Sequence, residues 1–489
     1  MLDKSFFHLG WLMKLSLSGL LMVCLSYVRA GYALDLLEAY NMGLTSDPQV
    51  LAAEANRNAV QKTKPIGLAR LLPSIVLNMD AQGIQADTGK SPYVGQANTA
   101  VIFGQGSLSL QMKQPLFHYD AWVTYWQADY KLAQAQAQLE AEYQDLAVRV
   151  AKAYFDTLYA EDIVDFTNVQ LKGLEAQANI VKERLNLGYS TLVDLNETES
   201  RRDKIAADLI LAEQKLNDSR EALREIIGVY EYNLLKVPEY IPLNHPDPED
   251  IEKWSDVAQQ GNLQIIAASS ATEIARHDID LNYAGHLPTF DLSAQQYNTA
   301  NNRPTGAYQL NQQVIGLSMS LPLYLGGEVS AKVDQSRDIY EQTLHQLDQQ
   351  RRLTQRQVKD AYRGVLTSIK RIGALQSALK SGLSALEGAQ MGFQVGARTI
   401  VDVLVQQSIY FQYWSDYARA RYDYLINGLV LKQAAGLLQQ TDVESINQII
   451  KRKYVAKSSD LTNLPKLFVP NTNKAVPPLS DSDARSLNE

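Results

Sequence analysis

The residues that could do chemistry are few and scattered. Six histidines, His8, His118, His245, His277, His286 and His345, show no HExxH or other metal-ligand spacing. There is no GxSxG nucleophile elbow. The stretch Gly83 to Ser91 (GIQADTGKS) imitates a phosphate loop, but that motif needs a glycine where Ile84 stands. An enzyme is therefore not the reading, and neither a cofactor nor a resident metal is expected. What remains is a pair of matching stretches, RLNLGYSTLVDLNETES from Arg184 and GFQVGARTIVDVLVQQS from Gly392, 208 positions apart. Each sets a glycine, Gly188 or Gly396, ahead of hydroxyl residues and then an aspartate, Asp194 or Asp402. Such a glycine can take the left-handed conformation that ends a helix, and Ser190 or Thr191, and in the second copy Thr399, can open the next one. An acid in the following first turn sits where a helix N-terminus favours negative charge.

The elements that carry these two turns are themselves repeated. The same offset of 208 lays Ala153-Tyr154 on Ala361-Tyr362, and Arg224 to Gly228 on Lys432 to Gly436. Upstream, Gln114-Pro115-Leu116-Phe117 falls on Leu321-Pro322-Leu323-Tyr324 at 207, and Leu72-Pro73 on Leu287-Pro288 at 215. This is a tandem duplication of about two hundred residues with one variable loop per copy. No proline occurs from Leu116 to Val237 or from Leu323 to Leu464, and both runs are rich in Ala, Leu, Gln, Glu, Lys and Arg. Those residues cost least in a helix, which proline would break. Each run predicts a long helix, a turn at the glycine and a returning helix. The first, from about Ala121 to Leu187, would be roughly 100 Å long. Faces of Ala and Gln, as in Lys131 to Leu139, predict close lateral packing on two sides, as in a coiled coil.

Ahead of each long helix lie two short alternating segments, Ile75 to Asp80 with Ser107 to Lys113, and Phe290 to Ser293 with Gly316 to Leu321. Apolar residues on one face and Ser, Gln or Lys on the other give the period of a strand with one oily side. Loops are expected over 84–104 and 299–312. Four strands cannot close a barrel, and an open edge in lipid leaves backbone groups unpaired. Two, three or four copies must then share one barrel.

Lys4 and Lys14, the apolar run Leu15 to Val28 and Gly31-Tyr32-Ala33 read as a secretory signal cut after Ala33. Its removal takes away Cys24, the one cysteine, and moves the net charge from −8 to about −10, which argues against nucleic acid as a partner. The expected organisation is 1–33 signal peptide, 34–228 first repeat, 229–253 irregular equatorial connector, 254–440 second repeat and 441–489 a C-terminal periplasmic tail, largely disordered. A trimeric surface adhesin or structural stalk is the competing reading; helices that turn back at Gly188 and Gly396 count against it.

Specific stretches carry a resemblance: Leu36 to Tyr40 with Asp47-Pro48, Gly285 to Leu292, Leu321 to Tyr324 with Gly326-Gly327, Gly396 to Leu404, and Ala420 to Asn427. In this order and spacing the chain, from Leu34 to about Asn447, resembles the TolC-type outer-membrane efflux channels. The resemblance implies a mostly α fold with a β-barrel segment: a homotrimer with one twelve-strand barrel in outer-membrane lipid of a Gram-negative bacterium, continued by a periplasmic tunnel of helical hairpins. It implies a passive exit duct for drugs, small toxic molecules or proteins, working with an inner-membrane pump through a periplasmic adaptor docked at the hairpin tips, Gly188 and Gly396. It implies a gate in which Arg398 pairs with Asp194 while Asp402 lines the constriction. Phe393, Val193 and Val405 stand where well-studied members carry Tyr, Thr and a second Asp, and Glu387 replaces a possible Asp near the same turn.

Overall fold

A computed structural model describes residues 33–88, 99–229, 233–302 and 307–454. The signal peptide expected over 1–33 therefore lies outside them except for Ala33, as do Gly89-Lys90-Ser91 and 455–489 of the tail. The chain opens with three short helices, α1 (Leu36–Ser46), α2 (Pro48–Gln61) and α3 (Thr63–Ala69), followed by strands β1 (Ser74–Thr88) and β2 (Thr99–Phe117). The first hairpin is α4 (Tyr119–Asn186) and α5 (Leu192–Ile227). The second half repeats the plan with α6 (Ile251–Gly261), α7 (Leu263–Tyr283), β3 (Thr289–Asn301), β4 (Tyr308–Ser320), α8 (Glu328–Gln394), α9 (Ile400–Ala434) and α10 (Gln440–Tyr454).

The two long helices have 68 and 67 residues, about 100 Å each. Their returning partners have 36 and 35 and cover only half that length. Beside the other half of α4 lie α2, α3 and α7, and α7 packs against α8 as well. The α5 helix stops at Gly228, held in the left-handed region at φ 74°, and Pro238, Pro242, Pro246 and Pro248 keep the following chain irregular. No helix among the described residues is long and apolar enough to cross a membrane.

The largest apolar core sits midway along the helices, where Leu36, Tyr40, Val150, Tyr154, Phe155, Ile227, Tyr422 and Leu429 meet. The connector is part of that core. Leu34 pairs with Leu234 as an isolated bridge, and the buried Tyr154 hydroxyl donates to the carbonyls of both Leu34 (3.0 Å) and Leu235 (2.8 Å). Of the tail expected over 441–489, the part through Tyr454 is not disordered: α10 is helical there, buries Val443, Ile446 and Ile450, and ties Lys451 to Asp35 at 2.6 Å. Its apolar residues at i, i+3 and i+7 form one face, which the neighbouring helices cover.

The strands form one antiparallel sheet in the order β1-β2-β3-β4. They are longer than the alternating segments, and much of the expected loops over 84–104 and 299–312 is strand. The cause is visible in the register. Ile75, Leu77 and Met79 share a face with Met112, Leu110 and Leu108, and with Ala294, Ile315 and Leu317. Farther along the same face come Gly83, Gly106, Gln296, Asn298, Asn311 and Gln313. Backbone pairing continues there although apolar alternation has ceased.

Candidate functional site at the hairpin tips

Both turns are built as the local sequence dictates. Gly188 (φ 79°) and Gly396 (φ 76°) are left-handed, and the next amides reach back, from Tyr189 to the Arg184 carbonyl and from Ala397 to the Gly392 carbonyl, each at 2.8 Å. The returning helices open on Thr191 and Thr399, both with reciprocal caps. The Thr191 hydroxyl accepts from the Asp194 amide (3.1 Å), while Asp194 Oδ2 accepts from the Thr191 amide (2.9 Å) and hydroxyl (2.8 Å) and from the Ser190 hydroxyl (3.1 Å). Asp402 Oδ2 accepts from the Thr399 amide (2.9 Å) and hydroxyl (2.8 Å) in the same way. Each bond favours the ionised carboxylate. The Thr191 amide, with its hydroxyl, holds Asp194 below the ordinary carboxylate range; the Thr399 amide and hydroxyl do so for Asp402, helped by the Arg398 charge.

Asp194 and Arg398 do not pair within one protomer, where Arg398 instead lies along Gly392; a methyl added there would meet its Cγ at 3.0 Å. The cap hydrogen bonds of both aspartates fall on Oδ2. Glu387 is half-buried on α8 beside Tyr410. Burial pushes the Tyr410 phenol up, and the charges of Glu239 and Glu387 add to that. Val193 is exposed and Val405 is partly so.

Two features of the tips have no signal in the sequence. The Arg184 guanidinium of α4 lies over the Phe393 ring of α8, 4.9 Å from its centroid. Beneath it, Leu174 and Val181 of α4 join Leu386, Ala389, Ile400, Val403, Leu404 and Tyr410 of the second hairpin in one apolar cluster. The partners are about two hundred residues apart, so no local pattern announces them. Farther from the tips the hairpins are held together by one aromatic contact, Phe166 against Trp414, and by polar ones, Arg419 to Asp156 (2.6 Å) and the Tyr422 hydroxyl to Asp162 (2.6 Å).

The family model described as outer membrane efflux protein matches residues 39–229 and 254–437. The chain is similar to outer membrane protein TolC of Vibrio cholerae, 33% identical over 428 residues that span 86% of this chain and 95% of that protein. It is also similar to TolC of Escherichia coli, 28% identical over 457 residues, 90% of this chain and 88% of the other. Among solved structures, the channel CusC superposes with a TM-score of 0.71 at 17% identity, covering 84% of this chain and 95% of that one. That last likeness shows the fold.

Proposed function

The chain belongs to the outer membrane efflux protein family, and on that premise we propose that its two hairpin tips form the gated periplasmic entrance of the duct. The protein is an outer-membrane exit duct for efflux and secretion, a trimeric channel that works with other components. A family of ducts is not a class of enzymes. The finer partners are part of the proposal: an inner-membrane pump, and a periplasmic adaptor that docks around Gly188 and Gly396.

The observation that supports the gate is the matched pair of tips, each presenting an aspartate whose Oδ2 is spent on its own helix cap. In the proposed gate Arg398, unpaired with Asp194 inside its protomer, pairs with Asp194 of the partner subunit. An exposed pair of this kind is worth about 0–1 kcal/mol, but three act on one constriction. Asp402, also in triplicate, concentrates negative potential at the entrance and attracts multivalent cations. Glu387, Phe393 and Val405 border the same turn.

Single-channel recording in planar bilayers tests this. Arg398→Ser is expected to raise resting conductance, and the swap Arg398→Asp with Asp194→Arg to restore part of the closure. Block of the current by multivalent cations is expected to vanish in Asp402→Ala. Wild-type resting conductance in Arg398→Ser would instead assign closure to the apolar cluster and Phe393, and block that survives Asp402→Ala would move the cation site elsewhere.

A further inference from the structure

The sheet has two unpaired edges, β1 and β4, and the internal repeat says how they meet in the trimer. An offset of 215 carries Ser74 to Thr289, and an offset of 207 carries Lys113 to Ser320. Ser74 pairs with Lys113 and Thr289 pairs with Ser320, so the two β-hairpins keep one register through the repeat. The border of the oily face obeys it too. The apolar stretch of that face ends at Met79 and Leu108 in the first hairpin and at their repeat mates Ala294 and Ile315 in the second, with Ile102 a later exception. Repeat mates therefore sit at one height in the bilayer, as a rotation about the membrane normal requires. Between hairpins the sheet climbs steeply: Lys113 pairs with both Ser74 and Ser293, and Ser293 lies four residues beyond Thr289, the mate of Ser74. That is about 13 Å along the strands for roughly 10 Å across them.

We infer that the contact between protomers repeats the β2–β3 step inside the chain, which sets its register residue by residue. Carrying the β2–β3 pairs through the two offsets places Ser320 opposite the partner's Asn78, Ser318 opposite the partner's Asp80 and Gly316 opposite the partner's Gln82. On the lipid face Met319 meets the partner's Met79 and Leu317 the partner's Ala81. A slip of one residue would turn Ile315, Leu317 and Met319 into the lumen, so only even slips compete.

The same step gives a partner to Tyr324, one of the most exposed apolar side chains of the protomer. Leu323 and Tyr324, in the segment after β4, are 89% and 84% exposed, and Ile75 is 67% exposed. Tyr324 corresponds to Phe117, which is less exposed at 38% and whose ring meets Phe290 edge-on at 6.4 Å, and Phe290 corresponds to Ile75. Tyr324 thus covers the partner's Ile75. The chemistry of the two junctions differs. Inside the chain Asp291 holds Lys113 Nζ and His118 Nε2, each at 3.0 Å. Between chains their places are taken by Ser320, Leu325 and the partner's Val76, so the seam carries no charge at those three places.

This rests on the reading of the chain as one third of a shared barrel, and the test separates the two. In full-length protein carrying Cys24→Ser, Ser318→Cys is combined in turn with Asn78→Cys, Asp80→Cys or Gln82→Cys, oxidised in the outer membrane and run on a denaturing, non-reducing gel. Directly opposed residues come within disulfide reach, whereas diagonal neighbours stand about 7–8 Å apart. The Asp80→Cys pair is expected to form covalent trimers several-fold faster than either neighbour. Fastest linkage at Asn78→Cys or Gln82→Cys overturns the register and leaves the trimer intact. No linkage at any of the three, with trimer mass retained in detergent, overturns the pairing of these edges. A native mass of monomer or dimer overturns the shared barrel itself.

Discussion

At the first hairpin tip Leu187, Tyr189, Leu192 and Val193 stand in solvent, whereas at the second Ile400, Val403 and Leu404 are buried against Leu174 and Val181 of the first hairpin's long helix. Yet the turns are the same device: a left-handed glycine, a threonine cap and an aspartate at the third helical position. The difference teaches that the repeat specifies the turn and that packing assigns the role. The second tip is the one anchored to its sister hairpin, by the apolar cluster and by Arg184 over Phe393. Within one protomer the first leaves Tyr189, Leu192 and Val193 uncovered, and the second leaves Met391 and Val395 uncovered.

The largest test of that asymmetry is paired truncation. Leu386 is fully buried in the tip cluster, so Leu386→Ala is expected to cost about 2–5 kcal/mol, read as easier proteolysis at the second turn and lower resistance to denaturant. Val193→Ala at the exposed tip should change stability by no more than about 0.5 kcal/mol. Equal effects would break the comparison.

Capping should treat the tips alike. Thr191→Ala and Thr399→Ala are each expected to lose about 1 kcal/mol, seen as faster hydrogen exchange in the first turn of α5 and of α9. A clearly larger loss at Thr399 would mean that burial of the second tip amplifies its cap.

A smaller effect probes the contact that crosses between hairpins. Arg184→Ala and Phe393→Leu are each expected to lose about 0.5–1 kcal/mol of closure per protomer, measured as raised resting conductance. The double variant should be no worse than either single one. Additive losses would show that the guanidinium and the ring act separately.

Acid should have the least effect, and the same one at both tips. Hydrogen bonds from Thr191 and Thr399 depress the carboxyls of Asp194 and Asp402, so each contributes stability above the unfolded carboxylate range, near pH 3.9, and loses it as pH falls through the depressed folded value. Protection against hydrogen exchange at the two caps, relative to the intrinsic rate at each pH, is expected to fall in parallel between pH 5 and pH 2, and Asp194→Asn or Asp402→Asn to remove the dependence at its own tip only. A dependence that persists in those variants would assign it to another group.

The sequence by itself determined whatever depends on neighbouring residues. Proline-free runs gave the long helices, Gly188 and Gly396 their turns, Thr399 its cap, and the repeat two hairpins of strand and helix with one plan, because helix ends and turns are decided within a few residues. The strands were legible only where oily residues alternate, since backbone pairing needs no particular side chain and runs on past Met79 and Ile315. The helix after Gln440 escaped because the proline-rich stretch beyond it dominates the composition, although Val443, Ile446 and Ile450 already spell one apolar face. Tertiary structure alone decided that Arg184 reaches Phe393, that Leu386 is buried while Val193 is not, and that Asp194 and Arg398 stay apart within a protomer. Those are meetings of residues some two hundred positions apart, set by how two 100 Å helices lean on each other, and no local preference along the chain encodes that angle.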